Sequence, residues 1–158
     1  MVLGQGLQLS EARNPQPLLD EMQAGIEHYW SHDATRKWLE ELIGAHGNLV
    51  AMRSLGHLKG LPGYKPYPFW RTFLFGSALP VDLVVAERSL LLFDPGFTPD
   101  ARMTAVPFAE ISKVNHNLGD GAIFIVHLKS GGKIKLRAIH HDAHGAIPIV
   151  TIVRPLLQ

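Results

Sequence analysis

Ala122-Ile-Phe-Ile-Val-His-Leu-Lys129, Ser130-Gly-Gly132 and Lys133-Ile-Lys-Leu-Arg-Ala-Ile139, read as one continuous stretch, decide the fold of this chain. Two apolar, β-branched runs joined by small residues are the sequence form of an antiparallel hairpin. Alternate side chains of a strand point to opposite faces, so Phe124, Val126 and Leu128 share a face with Ile134, Leu136 and Ala138 of the next strand. Lys129, Lys133, Lys135 and Arg137 fall on the other face. One face is core and the other is basic.

The same period extends upstream to Val81. Leu83-Val-Val-Ala86 and Leu90-Leu-Leu-Phe93 are a second strand pair, with Glu87-Arg88 as its tight turn. Asp94-Pro-Gly-Phe-Thr-Pro-Asp100 is a loop, Thr104-Ala-Val-Pro-Phe108 a short strand, and Glu110-Ile-Ser-Lys-Val114 leads into the next. Asn117-Leu-Gly-Asp-Gly121 has turn chemistry and delivers the chain to the final hairpin. Further upstream, Asn48-Leu-Val-Ala-Met-Arg-Ser-Leu55 and Phe69-Trp-Arg-Thr-Phe-Leu-Phe75 read as strands. Between them, His57 to Pro68 holds three prolines and two glycines and is expected to be a loop; Gly76 to Pro80 is expected to turn.

The N-terminal third changes period. Leu18, Leu19, Met22, Ile26, Tyr29 and Trp30 recur at helical spacing after Pro17, which suits a first helical position. Asp33 is the expected N-cap of a second helix, which carries Trp38, Leu39, Leu42 and Ile43 on one side and stops at Gly44 to Gly47. The tail from Asp142 to Gln158 is apolar and β-branched but contains Pro148 and Pro155; a closing helix is expected, with a strand as the other reading. The expected organisation is therefore a loose leader over 1–16, a helical hairpin over 17–47 and a β-domain over 48–158, packed as one compact unit.

Composition narrows the classes. With 158 residues, 46% hydrophobic and 18% charged, the chain can bury a real core. A net charge of +1 excludes the broad positive field of a non-specific DNA binder, so no nucleic-acid partner is expected and any electrostatic partner must be met locally. The absence of cysteine excludes disulfides and thiolate metal sites. No stretch reaches the length of a membrane-spanning helix and the N-terminus lacks a basic, apolar leader pattern, so a soluble, cytoplasmic protein is expected.

The order Leu83-Val-Val-Ala-Glu-Arg-Ser-Leu-Leu-Leu-Phe93, then Val106-Pro107-Phe108 with Ile111 and Val114 at the following steps, then the Gly-Gly hairpin and an apolar terminal segment, resembles the bacterial PH-like domains of the GRAM and YokE-like kind. The resemblance runs from about Asn48 to Leu157. It implies an α+β fold: an N-terminal helical hairpin, then a curved antiparallel sheet or PH-like barrel, with a C-terminal helix plugging one end. It also implies a non-enzymatic interaction module, binding a protein partner or assembling with itself.

Four groups of residues are candidates for chemistry. Lys133-x-Lys135-x-Arg137, with Lys129, is similar to the basic strand motif with which some PH domains hold inositol phosphates, because alternate residues bring three cations to one face. In that family the motif sits in the first hairpin and here it is in the last; a solvated face charged against edge pairing is the other account of it. Tyr64, Tyr67, Phe69 and Trp70, with Lys65 and Arg71, offer rings and cations suited to an interface or an anionic bilayer, or else cover the core. His140, His141, Asp142 and His144 are the densest group among nine histidines and the candidates for a metal, hence for a small metal-dependent hydrolase. Their spacing matches no metal signature, and His28 and His32 lack the glutamate of a metalloprotease pair. No Gly-x-Ser-x-Gly, phosphate-loop or dinucleotide fingerprint occurs, so no catalytic residue and no cofactor is expected.

Overall fold

The computed structural model describes residues 7–8, 31–60, 79–94, 96–117, 122–138 and 147–157. Among these are eight strands, β1 Leu7–Gln8, β2 Leu49–Lys59, β3 Leu79–Ala86, β4 Ser89–Asp94, β5 Arg102–Pro107, β6 Ile111–His116, β7 Ile123–Leu128 and β8 Lys133–Ala138. Two α-helices are described, α1 His32–His46 and α2 Ile147–Leu156, and a 3-10 turn spans Phe108–Glu110. The fold is α+β, with every described strand pair antiparallel. The chain forms two compact units: residues 1–54 with 82–107, and residues 55–81 with 108–158. The segment expected as a single β-domain thus contributes to both.

In the first unit, hydrogen bonding runs β5-β4-β3-β2, and β1 adds to β2 through Leu7↔Met52 and Gln8↔Ala51. Those two residues lie within the segment expected as a loose leader. β4 is buried on both faces from Ser89 to Phe93, which is why its sequence is an unbroken apolar run and not an alternation. α1 begins two residues earlier than expected. Its N-cap is Ser31, whose hydroxyl accepts the Ala34 N–H at 3.2 Å, while Asp33 lies in the first turn, where its charge suits the helix dipole.

Leu39 and Leu42 of α1 are buried, with Trp38 and Ile43 partly so, against Met52, Val84, Leu91, Phe93 and Phe97. Trp38 and Phe93 each put a ring centroid 4.8 Å or 5.9 Å from a neighbour, with Phe97 between them in the cluster. The Glu87-Arg88 turn forms as expected and is tied to the end of α1. Glu87 N–H donates to Asn48 O, Arg88 N–H to His46 O, and Arg88 Nη2 to Gly44 O, so a cation sits among the helix's last carbonyls. In the loop after β4, Asp82 accepts the Phe97 N–H at 2.8 Å and the Ser54 hydroxyl.

In the second unit the order is β2-β8-β7-β6. Here β2 runs past the expected strand end at Leu55: His57 to Lys59, expected in a loop, are strand because Gly56, His57 and Lys59 pair with Arg137, Leu136 and Lys135. A backbone partner outweighs the loop composition that follows. Leu79 and Pro80, expected in a turn, likewise open β3. Gly60 ends β2 at φ +97, with its α-carbon so close to β8 that a Cβ would lie 2.0 Å from Lys133 O.

The β7–β8 hairpin forms as the sequence required. Gly131 N–H donates to Leu128 O and Leu128 N–H to Gly132 O, with Gly131 at φ +101, so the turn is a four-residue β-turn over 128–131 closed by a positive-φ glycine. Phe124, Val126, Ile134 and Leu136 are buried and Leu128 is half-buried. α2 packs on β6 and β7 with Ile149, Val150, Ile152 and Val153 buried, and Arg154 Nε reaches Val114 O at 3.4 Å. The closing helix is thus the correct reading of the tail. Pro148 stands at its second residue, where no intrahelical N–H is needed, and Pro155 in its last turn. The first helix expected over 17–30 and the strand expected over 69–75 lie outside the described residues.

Candidate functional site

The side of β6, β7 and β8 opposite Phe124 and Leu136 carries Lys113 and Asn115 from β6, Ile123, Ile125 and His127 from β7, and Lys133, Lys135 and Arg137 from β8. Pairing fixes their neighbours. Lys113 is opposite His127 and His127 opposite Lys133; Asn115 is opposite Ile125 and Ile125 opposite Lys135; Ile123 is opposite Arg137. Lys113, Lys133 and Arg137 are exposed, and Asn115, Ile123, Ile125, His127 and Lys135 half-buried. Cross-strand neighbours stand about 5 Å apart and the next pair on the same face about 7 Å further along. The result is a cationic field with two isoleucines at its middle.

None of β6, β7 and β8 contains an Asp or Glu. Among the described residues, Lys113, Lys133, Lys135 and Arg137 make no ion pair with a carboxylate. A solvated face charged only against edge pairing would be expected to mix signs or sit on an edge strand, whereas β7 and β8 are both interior to the order β2-β8-β7-β6.

His127 is the best-defined group of the face. Its Nε2 lies 3.0 Å from Asn115 Oδ1, and its own carbonyl accepts the Ser112 hydroxyl at 3.0 Å. Partial burial, then the charges of Lys113, Lys133 and Lys135, lower its pKa from the ordinary histidine value.

Of the four cations expected together, Lys133, Lys135 and Arg137 share this face, and Lys129 stands in the turn, its N–H donating to Glu110 O at 2.8 Å. A turn residue leaves the two-residue alternation, so strand parity did not apply to it. A shallow cavity of about 190 Å³ beside the turn, lined by Ala109, Glu110, Leu128, Lys129 and Ser130, balances one carboxylate with one ammonium. Lys113 and His127 were not singled out from the sequence. The face of His127 follows from the β7 alternation, but its neighbour Lys113 follows from β6 pairing with β7 across a register shift between Ile111 and Lys113, which no local pattern encodes.

A second histidine, His46, places Nδ1 3.2 Å from the Ser89 hydroxyl. Ser89 is 4% exposed and the pair sits where α1 meets the β3–β4 turn, so it braces that junction and offers no nucleophile to a substrate. Tyr64, Tyr67, Phe69 and Trp70 lie outside the described residues, as do His140, His141, Asp142 and His144. Among the described residues no three His, Asp or Glu side chains gather into a metal site, and no helix is long and apolar enough to cross a membrane.

No family model matches the chain, and no curated protein matches it. Among solved structures, the chain is similar to the solution structure of the N-terminal PH domain of ARAP2 protein from human, with 14% sequence identity, a TM-score of 0.44, and coverage of 67% of this chain and 78% of that one.

Proposed function

We propose that the chain is a non-enzymatic, PH-like interaction module that docks a protein partner of acidic surface on the outer face of β6, β7 and β8. The PH-like reading is supported by chain order: β2 to β5 form one meander, β6 to β8 a second, and α2 follows the last strand and packs on β6 and β7. The observation that carries the docking reading is the face itself, with Lys113, Lys133, Lys135, Arg137 and His127 around Ile123 and Ile125 and no carboxylate in its three strands. Apolar area ringed by polar and charged groups is the anatomy of a protein interface, where the centre supplies affinity and the rim supplies steering and register. Self-assembly through this face is disfavoured, because a copy of it would set cations against cations.

The same field supports a second reading, an anionic membrane surface met by Lys133, Lys135 and Arg137. A fluorescent peptide rich in glutamate and leucine, and vesicles of phosphatidylcholine with phosphatidylserine, separate the two. The docking reading predicts that the peptide binds, that binding weakens as salt shortens the Debye length from about 10 Å at 0.1 M toward about 3 Å at 1 M, and that Lys135→Glu abolishes it. Recruitment to the vesicles without peptide binding supports the membrane reading instead.

A further inference from the structure

Lys113, His127 and Lys133 occupy consecutive cross-strand positions, so an imidazole stands at the centre of a row whose ends are ammonium groups. Lys135 is one pleat along β8. The ring is held by Asn115, whose Oδ1 lies 3.0 Å from Nε2. An amide oxygen only accepts, so Nε2 carries the proton of the neutral ring and Nδ1 is a bare lone pair. Toward an oxyanion that lone pair is repulsive. Protonated, the same atom becomes a charge-assisted donor.

We propose that the Lys113–His127–Lys133 row seats a carboxylate of the acidic partner, and that docking loads a solvent proton onto His127 Nδ1, so that the interaction strengthens as pH falls through the histidine range. The inference rests on the proposed docking at this face. The groups facing His127 are Lys113 and Asn115 from β6 and Lys133 and Lys135 from β8; three are cationic, one is neutral and none is acidic. In the free protein partial burial, and then these cations, lower the pKa of the ring and so disfavour its protonated form. A carboxylate between the two lysines reverses the local field, and the proton it draws to Nδ1 adds an N–H···O bond that the neutral ring cannot make. Binding and protonation are therefore linked, and each strengthens the other.

The test is calorimetric titration of the full chain with the glutamate- and leucine-rich peptide at about pH 6 and about pH 8, spanning the ordinary histidine pKa. It is run in two buffers of different ionisation enthalpy, to count protons taken up. The expected result is binding at both pH values, tighter at the lower by up to about tenfold for each unit by which docking raises the His127 pKa, with net proton uptake. His127→Gln, which replaces the titrating imidazole by a neutral amide, is expected to lose both the acid enhancement and the proton uptake, whatever its affinity at the higher pH. Binding that is independent of pH, or a His127→Gln chain that keeps the full pH dependence, overturns the inference and leaves the docking reading standing. No peptide binding by the wild-type chain at either pH overturns the docking reading and the inference with it. Acid-enhanced binding of inorganic phosphate or of phosphatidylserine vesicles, with none of the peptide, overturns the assignment of a protein carboxylate.

Discussion

Replacing glycine by alanine at Gly131, Gly47 and Gly60 is expected to give a graded series of stability losses, because all three have positive φ but differ in what a Cβ would meet. Gly131, at φ +101, has no atom within 4 Å of an added Cβ, so Gly131→Ala isolates the backbone term of about 1–2 kcal/mol. At Gly47, φ +88, the Cβ would lie 2.7 Å from Glu87 Cβ, so the β3–β4 turn must shift. That shift loosens the 2.8 Å hydrogen bond from Asn48 Nδ2 to Glu87 Oε1, and an exposed bond of this kind adds about 1 kcal/mol, for a total of about 2–3.

At Gly60, φ +97, the Cβ would lie 2.0 Å from Lys133 O and 2.9 Å from Lys133 C. Backbone held in a strand cannot yield as a side chain can. Relief means parting the end of β2 from β8, where Lys59 pairs with Lys135 and His57 with Leu136, and two lost ladder hydrogen bonds at about 1 kcal/mol each bring the total to about 3–4. Urea unfolding of the three variants at equal m-value measures the series. A Gly60→Ala chain as stable as Gly131→Ala would refute the close approach of β2 to β8, and with it the strand order that makes β8 an interior strand.

Three further outcomes follow from the packing. Phe124→Ala empties a fully buried site on the inner face of β7 and is expected to cost about 3–5 kcal/mol in the same unfolding measurement, whereas Lys133→Ala on the opposite face is expected to cost less than about 0.5. Asp82→Ala removes the acceptor of both the Ser54 hydroxyl and the Phe97 N–H, and is expected to cost about 2–3 kcal/mol and to raise hydrogen exchange at Phe97. Burial, and then Arg88, lowers the pKa of His46 in the folded chain. The unfolded chain therefore binds that proton more readily, so stability is full above about pH 6.5 and declines as pH falls below it toward the folded pKa. His46→Gln is expected to flatten this decline in thermal melts recorded across that range.

The parts of the fold that were legible from sequence are those where one strand face is buried and the other wet. β7 and β8 are of that kind, and the segregation of Phe124, Val126, Ile134 and Leu136 from Lys133, Lys135 and Arg137 could be read residue by residue. Trp38, Leu39, Leu42 and Ile43 were legible on α1 for the same reason at a helical period. What escaped depended on partners distant in sequence. His57 to Lys59 are strand only because β8 lies beside them, and Lys113 joins the basic face only because β6 pairs with β7 through a register shift. The N-cap moved from Asp33 to Ser31 because both residue types cap helices, and the choice turns on which hydroxyl or carboxylate reaches a free N–H. The basic half of the site was therefore visible on β8 and the outward face of His127 on β7, whereas the row that sets His127 between Lys113 and Lys133 was visible only in the assembled pairing.

The central claim is that the outer face of β6, β7 and β8 is a docking surface for an acidic protein. Its most direct test is amide and side-chain chemical-shift mapping of the isotopically labelled chain during titration with the glutamate- and leucine-rich peptide. The account predicts saturable shifts at Lys113, Asn115, Ile123, Ile125, His127, Lys133, Lys135 and Arg137, reversed by salt. Shifts gathered on α1 or on β3 to β5, with those eight residues unmoved at saturation, would contradict it.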